Sequence, residues 1–88
     1  MITTVDISMY PFCEDFKEPI LGFIKRIQNY HDLKGIPSAT STVVQGDFHH
    51  VMRSIQETIV SCQEEFKMAV YILKIIPGNR FIFLNSIF

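Results

Sequence analysis

The sequence predicts an α+β fold in which two helices cover one face of a small antiparallel sheet. Three observations carry that expectation. The chain has 88 residues, enough for one domain with a modest core. Two stretches repeat apolar residues every three or four positions, the period of a helix half-buried on a core. The stretches between and around them alternate, or are dense in β-branched and aromatic residues, as strands are.

Residues 2–10 alternate: Val5, Ile7 and Met9 point one way, and Thr4, Asp6, Ser8 and Tyr10 the other. Pro11 ends this first strand. Asp15 and Glu18 have capping-box spacing, and Pro19 suits a first helical turn. Phe16, Ile20, Phe23, Ile24 and Ile27 then form the stripe of a helix reaching about Tyr30. After a polar connection over 31–35, residues 36–46 read as two short strands around a turn at Thr40 and Ser41. Asp47 is placed to cap a second helix with the stripe Phe48, Val51, Met52, Ile55, Ile59, Cys62 and Phe66. A last strand over 68–76 is closed by Pro77 and Gly78.

The order strand, helix, strand, strand, helix, strand builds a ferredoxin-like βαββαβ sandwich, a four-stranded antiparallel sheet with both helices on one face. The other face stays open. With Val5, Ile7 and Met9 under the helices, Asp6, Ser8 and Tyr10 lie on it, and Lys74 is expected there too, because a buried lysine without a partner is costly. Beyond the minimal fold, residues 79–88 form an apolar extension rich in Phe and Ile. In water it would be an aggregation-prone edge, so it reads as a fifth strand or extension covering an open sheet or a neighbouring subunit. Folding back on its own domain is the alternative.

Composition narrows the function. Hydrophobic residues make up 48% of the chain, charged residues 19%, and the net charge is −1, the opposite of a disordered segment. The same balance argues against nucleic acid, which is held by a surplus of Lys and Arg. The longest uninterrupted apolar run, residues 68–73, is far short of the ~20 that a membrane span needs. No basic region followed by an apolar stretch opens the chain, so no signal peptide is expected and a cytoplasmic location is the default. Cys13 and Cys62 are too far apart for a CxxC motif and read as reduced thiols.

Catalysis is not expected. His49 and His50 are adjacent in the first turn of a helix and point apart, so they lack the i, i+4 spacing of a metal pair. Every glycine is isolated, which removes a phosphate-cradling loop. The segment after the first strand, Tyr10 to Glu14, carries no arginine to hold an acyl phosphate. The central strand displays no aromatic residues of the RNA-recognition kind.

What remains is a set of hydrogen-bonding residues on or beside the open face: Asp6, Ser8, Tyr10, Thr40, Ser41, Thr42, Gln45 and Lys74. An apolar floor with a few convergent polar groups suits a flat heteroaromatic ligand. Tyr10 offers a stacking surface, Asp6 a counter-charge for a cationic ring, and Gln45 and Thr42 partners for ring nitrogens and an exocyclic amine. Equally, these are strand residues at a subunit interface.

The run Ile7-Ser8-Met9-Tyr10-Pro11, then Ser41 to Phe48, Val51-Met52 and finally Lys74 to Gly78 resembles the small thiamine-binding protein family, the YkoF-type domains. The resemblance covers nearly the whole chain up to Gly78. It implies a ferredoxin-like domain that binds thiamine or its hydroxymethylpyrimidine moiety without catalysis, needs no further cofactor, and works as a homodimer or homotetramer. Ser8, Tyr10, Ser41 and Thr42 lie inside the matching motifs, as do Gln45 and Lys74. Asp6 is added for charge complementarity to the thiazolium. The alternative reading is a protein-protein assembly or regulatory module without a small-molecule ligand.

Overall fold

The computed structural model describes residues 1–78, and the expected extension over 79–88 lies outside them. The elements are β1 (Ile2–Pro11), α1 (Lys17–Gln28), β2 (Lys34–Pro37), β3 (Thr42–Asp47), α2 (Phe48–Phe66) and β4 (Ala69–Pro77). The sheet is antiparallel throughout, in the order β2-β3-β1-β4, so the expected ferredoxin-like βαββαβ sandwich is the fold. Among the described residues no helix is long and apolar enough to cross a membrane.

Both helix starts illustrate local chemistry. Asp47 caps α2 with extended backbone, its carboxylate accepting from the His50 N–H at 3.4 Å. That bond, and the chain's ammonium group 3.5 Å away, hold the carboxyl below its ordinary range. At α1 the expected capping box does not form. Phe16 occupies the cap position, and Asp15 instead accepts from the Lys17 N–H at 3.3 Å. The helix also ends at Gln28 rather than Tyr30, while Lys34 and Gly35, expected in the connection, already belong to β2.

The core joins Val5, Ile7 and Val44 of the sheet to Phe23 and Ile27 of α1, Val51, Ile55 and Cys62 of α2, and Leu33 between α1 and β2. Gly46 permits that last contact, since a Cβ there would stand 2.5 Å from the Leu33 side chain. Two buried positions escaped the apolar stripe of α2: Ser54 and Thr58. They sit on the same sheet-facing side as Val51, Ile55 and Cys62, and the Thr58 hydroxyl donates to the Ser54 carbonyl at 2.8 Å, which satisfies it without a tertiary partner. Phe16, by contrast, is exposed because it precedes the first helical turn.

Candidate functional site

Directly paired residues on adjacent strands share a face, so the register sorts the candidate residues. Asp6 lies opposite Lys74 of β4 and Val43 of β3; Thr4 lies opposite Gln45 and Ile76; Ser8 faces Ile72, and Tyr10 faces Val70. Asp6, Ser8, Tyr10, Gln45 and Lys74 therefore occupy the open face, as expected. Thr42 does not. It pairs with Ile7, points toward the helices and is 5% exposed. The spacing of three between Thr42 and Gln45 already separates them on any regular strand.

The open-face polar groups differ in how they are held. The Gln45 amide donates to the Thr4 hydroxyl at 3.1 Å, and the Ser8 hydroxyl donates to the Thr40 carbonyl at 3.4 Å, tying β1 to the β2–β3 turn. Asp6 is half-buried, and its Oδ1 is shut away from solvent with no hydrogen-bond partner among the described residues. Tyr10, Ile36, Val70 and Ile72 stand exposed around them.

Thr42 and Ser41 meet elsewhere. Between the sheet and α1 a crevice opens, floored by Ile7 and Met9, walled by Ile20, Phe23 and Ile24, and rimmed by the turn from Ser38 to Thr42. The turn is braced by itself: the Ser38 N–H and hydroxyl both donate to the Ser41 carbonyl, at 2.8 and 3.0 Å. Four hydroxyls thus surround an apolar slot. Its volume is about 60 Å³, well below the roughly 300 Å³ at which ligand pockets usually begin. From the sequence alone the α1 residues of this wall read as core. Their signal is the doubled stripe, in which Ile20 and Ile24 flank the fully buried Phe23 and Ile27 and remain half-buried.

Other chemistry-bearing groups are already engaged. In the groove between α1 and α2, Arg26 pairs with Glu65, donates to the Ser61 hydroxyl at 2.8 Å and stacks over Phe66, while the Tyr30 hydroxyl donates to Glu57 at 2.8 Å. His50 is half-covered and lies 2.7 Å from Asp32, linking α2 to the connection after α1. His49 is exposed and packs edge-on against Phe48. Among the described residues no group of three or more His, Cys, Asp or Glu is placed to hold a metal ion.

Burial pushes the Cys62 thiol up, which makes it a poor nucleophile at neutral pH. Tyr71 lies beside it, and burial, then the neighbouring thiol, raise the phenol from 10.0 to about 12. The Tyr71 hydroxyl has no hydrogen-bond partner among the described residues. The folded state thus favours the neutral phenol, a contribution complete below pH 10 and lost as the pH rises through about 12. Tyr71→Phe is expected to leave stability unchanged or raised at pH 7, because it removes an unsatisfied polar atom. It should also flatten the stability loss between pH 10 and 12 and delete the late step of an ultraviolet tyrosinate titration. A destabilised variant at pH 7 would show that the hydroxyl is bonded after all.

The architecture and the crevice together define a class: an α+β sandwich of the ferredoxin type with a slot between sheet and first helix. Solved structures share the fold. A Streptococcus pneumoniae protein superposes with a TM-score of 0.85 at 18% identity, over 99% of this chain and 98% of that one. A Thermotoga maritima protein provisionally assigned to thiamine biosynthesis or salvage superposes with a TM-score of 0.81 at 26% identity, over 89% and 85%. The DUF77 domain from Bacillus cereus, a domain of unknown function, does so with 0.76 at 15% identity, over 89% and 77%. No protein-family model and no curated protein matches the sequence.

Proposed function

We propose that the protein binds thiamine or its hydroxymethylpyrimidine moiety in the crevice between the sheet and α1, without catalysing a reaction. One observation carries this reading: Thr42 and Ser41 bring hydroxyls to a slot whose other walls, Met9, Phe23 and Ile24, are apolar. An aminopyrimidine needs that combination, a flat apolar contact for its faces and donors and acceptors at its edge. The likeness to the Thermotoga maritima protein supports the same ligand class. In this reading Asp6, Ser8, Tyr10, Gln45 and Lys74, which stand on the other face of the sheet, are not part of the pocket.

At about 60 Å³ the slot must widen to admit a pyrimidine ring. The rim is the element that can give way, because Ser38, Ala39 and Thr40 are exposed and, among the described residues, tied down by the Ser38–Ser41 and Ser8–Thr40 hydrogen bonds. Calorimetric titration with thiamine and with hydroxymethylpyrimidine is expected to give saturable heat. A ligand at a hundred times its dissociation constant should stabilise the fold by about 2.7 kcal/mol. No heat and no thermal shift at millimolar ligand would reject the pocket.

The second reading, an assembly module, rests on the open face, where Tyr10, Ile36, Val70 and Ile72 expose apolar surface away from the crevice. It does not exclude the first, since the two surfaces lie on opposite sides of the sheet.

A further inference from the structure

We propose that the crevice selects an uncharged aminopyrimidine over the same ring carrying a charged substituent, an inference that rests on the crevice being the ligand site. The lining of the slot points to that class. Among the described residues its floor and walls are apolar, and every polar side chain on its rim is a hydroxyl. A hydroxyl both donates and accepts, so the rim can serve a ring nitrogen and an exocyclic amine alike, but it neutralises no charge. The Ser38 hydroxyl is engaged with the Ser41 carbonyl at 3.0 Å, which leaves those of Thr40, Ser41 and Thr42 available to a ligand. Asp6, the counter-charge that a cationic ring would need, alternates with Ile7 along β1 and stands on the opposite face of the sheet with Lys74. Arg26 and Glu65 are paired with each other in the groove between α1 and α2.

Size sets where a charge would fall. Even with its rim displaced, a slot of about 60 Å³ seats a single ring, far from the ~300 Å³ at which drug-sized ligands are enclosed. Thiamine carries its thiazolium cation one methylene away from the pyrimidine, and the phosphate ester of hydroxymethylpyrimidine carries an anion at the same place. Either group therefore lies at the mouth of the slot, stripped of part of its water and with no ion of opposite sign beside it, a costly state. The two groups have opposite charges, so a mouth with a charged side chain would favour one and reject the other. A mouth of hydroxyls disfavours both relative to the free alcohol, whose own O–H the rim can bond.

Calorimetric titration of the unaltered protein with hydroxymethylpyrimidine, its phosphate ester and thiamine reads the selection directly. The free pyrimidine is expected to bind at least about tenfold more tightly than either charged relative. Ala39→Asp then places a carboxylate on the exposed rim without deleting a hydroxyl. It should shift the ratio of affinities toward thiamine by about fivefold, and away from the phosphate ester by a similar factor, the worth of one exposed ionic contact. Thiamine or the ester binding to the unaltered protein as tightly as the free pyrimidine overturns the proposal, and so does a ratio that Ala39→Asp leaves unmoved. Ala39→Trp, which covers the mouth, separates this failure from failure of the crevice itself. If all three ligands bind alike and the tryptophan abolishes their binding, the crevice stands as the site and the selection falls. If none binds, or if the tryptophan leaves binding intact, both fall.

Discussion

Replacing Ile55 by alanine is expected to destabilise the protein by about 3 kcal/mol, within the ~2–5 kcal/mol that buried Ile→Ala changes cost. Ile55 is 1% exposed and lies in the middle of α2, where its side chain fills the space between helix and sheet in the cluster formed by Val5, Val44 and Val51. Alanine removes three carbons there and leaves a cavity, because Val5, Val44 and Val51 are stiff β-branched residues that cannot collapse into it. In a domain of this size each kcal/mol moves the thermal midpoint by roughly 4–8 °C, so a drop of more than about 10 °C is expected. Val60→Ala on the same helix, at a position 59% exposed, should stay within about 0.5 kcal/mol. Urea denaturation distinguishes the cases: the Ile55 variant should shift its midpoint at unchanged slope. A loss under about 1 kcal/mol would mean that the core does not close around this residue as described.

Ala39→Trp should abolish ligand binding while sparing the fold. Ala39 is exposed on the rim of the crevice, so an indole there costs little stability yet covers the mouth of a slot that holds only about 60 Å³. The expected loss in affinity for thiamine is at least about a hundredfold, with stability changed by no more than about 0.5 kcal/mol. Thr42→Val refines the result. Valine keeps the shape of threonine and deletes its hydroxyl, so affinity should fall by about tenfold, the worth of one hydrogen bond between neutral groups. If the tryptophan blocks and the valine does not, the slot is the site but Thr42 contributes shape alone. If neither changes an established affinity, the ligand sits elsewhere.

The two histidines of α2 show how far single residues can be read from local pattern. Their position in the first turn follows from Asp47 and the stripe behind it. That His50 and not His49 turns back to meet Asp32 at 2.7 Å depends on where the connection after α1 passes, which no local period encodes. The same holds for Ser54 and Thr58. A small hydroxyl residue on an apolar face carries no hydropathy signal, and only the packing of α2 onto the sheet makes it core.

Local sequence determined the elements, their order and the ferredoxin-like architecture, because apolar periodicity, β-branched density and turn residues are all local properties and two helices with four strands in this order have few ways to close a core. Pairing decided the site. The strand Thr42–Asp47 reads Thr-Val-Val-Gln-Gly-Asp, a run with no clean alternation, so its phase comes only from its register with β1, where Val5 sits opposite Val44. A shift of one residue would exchange its faces. That register sends Thr42 toward the crevice and Gln45 to the open face, dividing a single cluster of candidate residues between the two sides of the sheet.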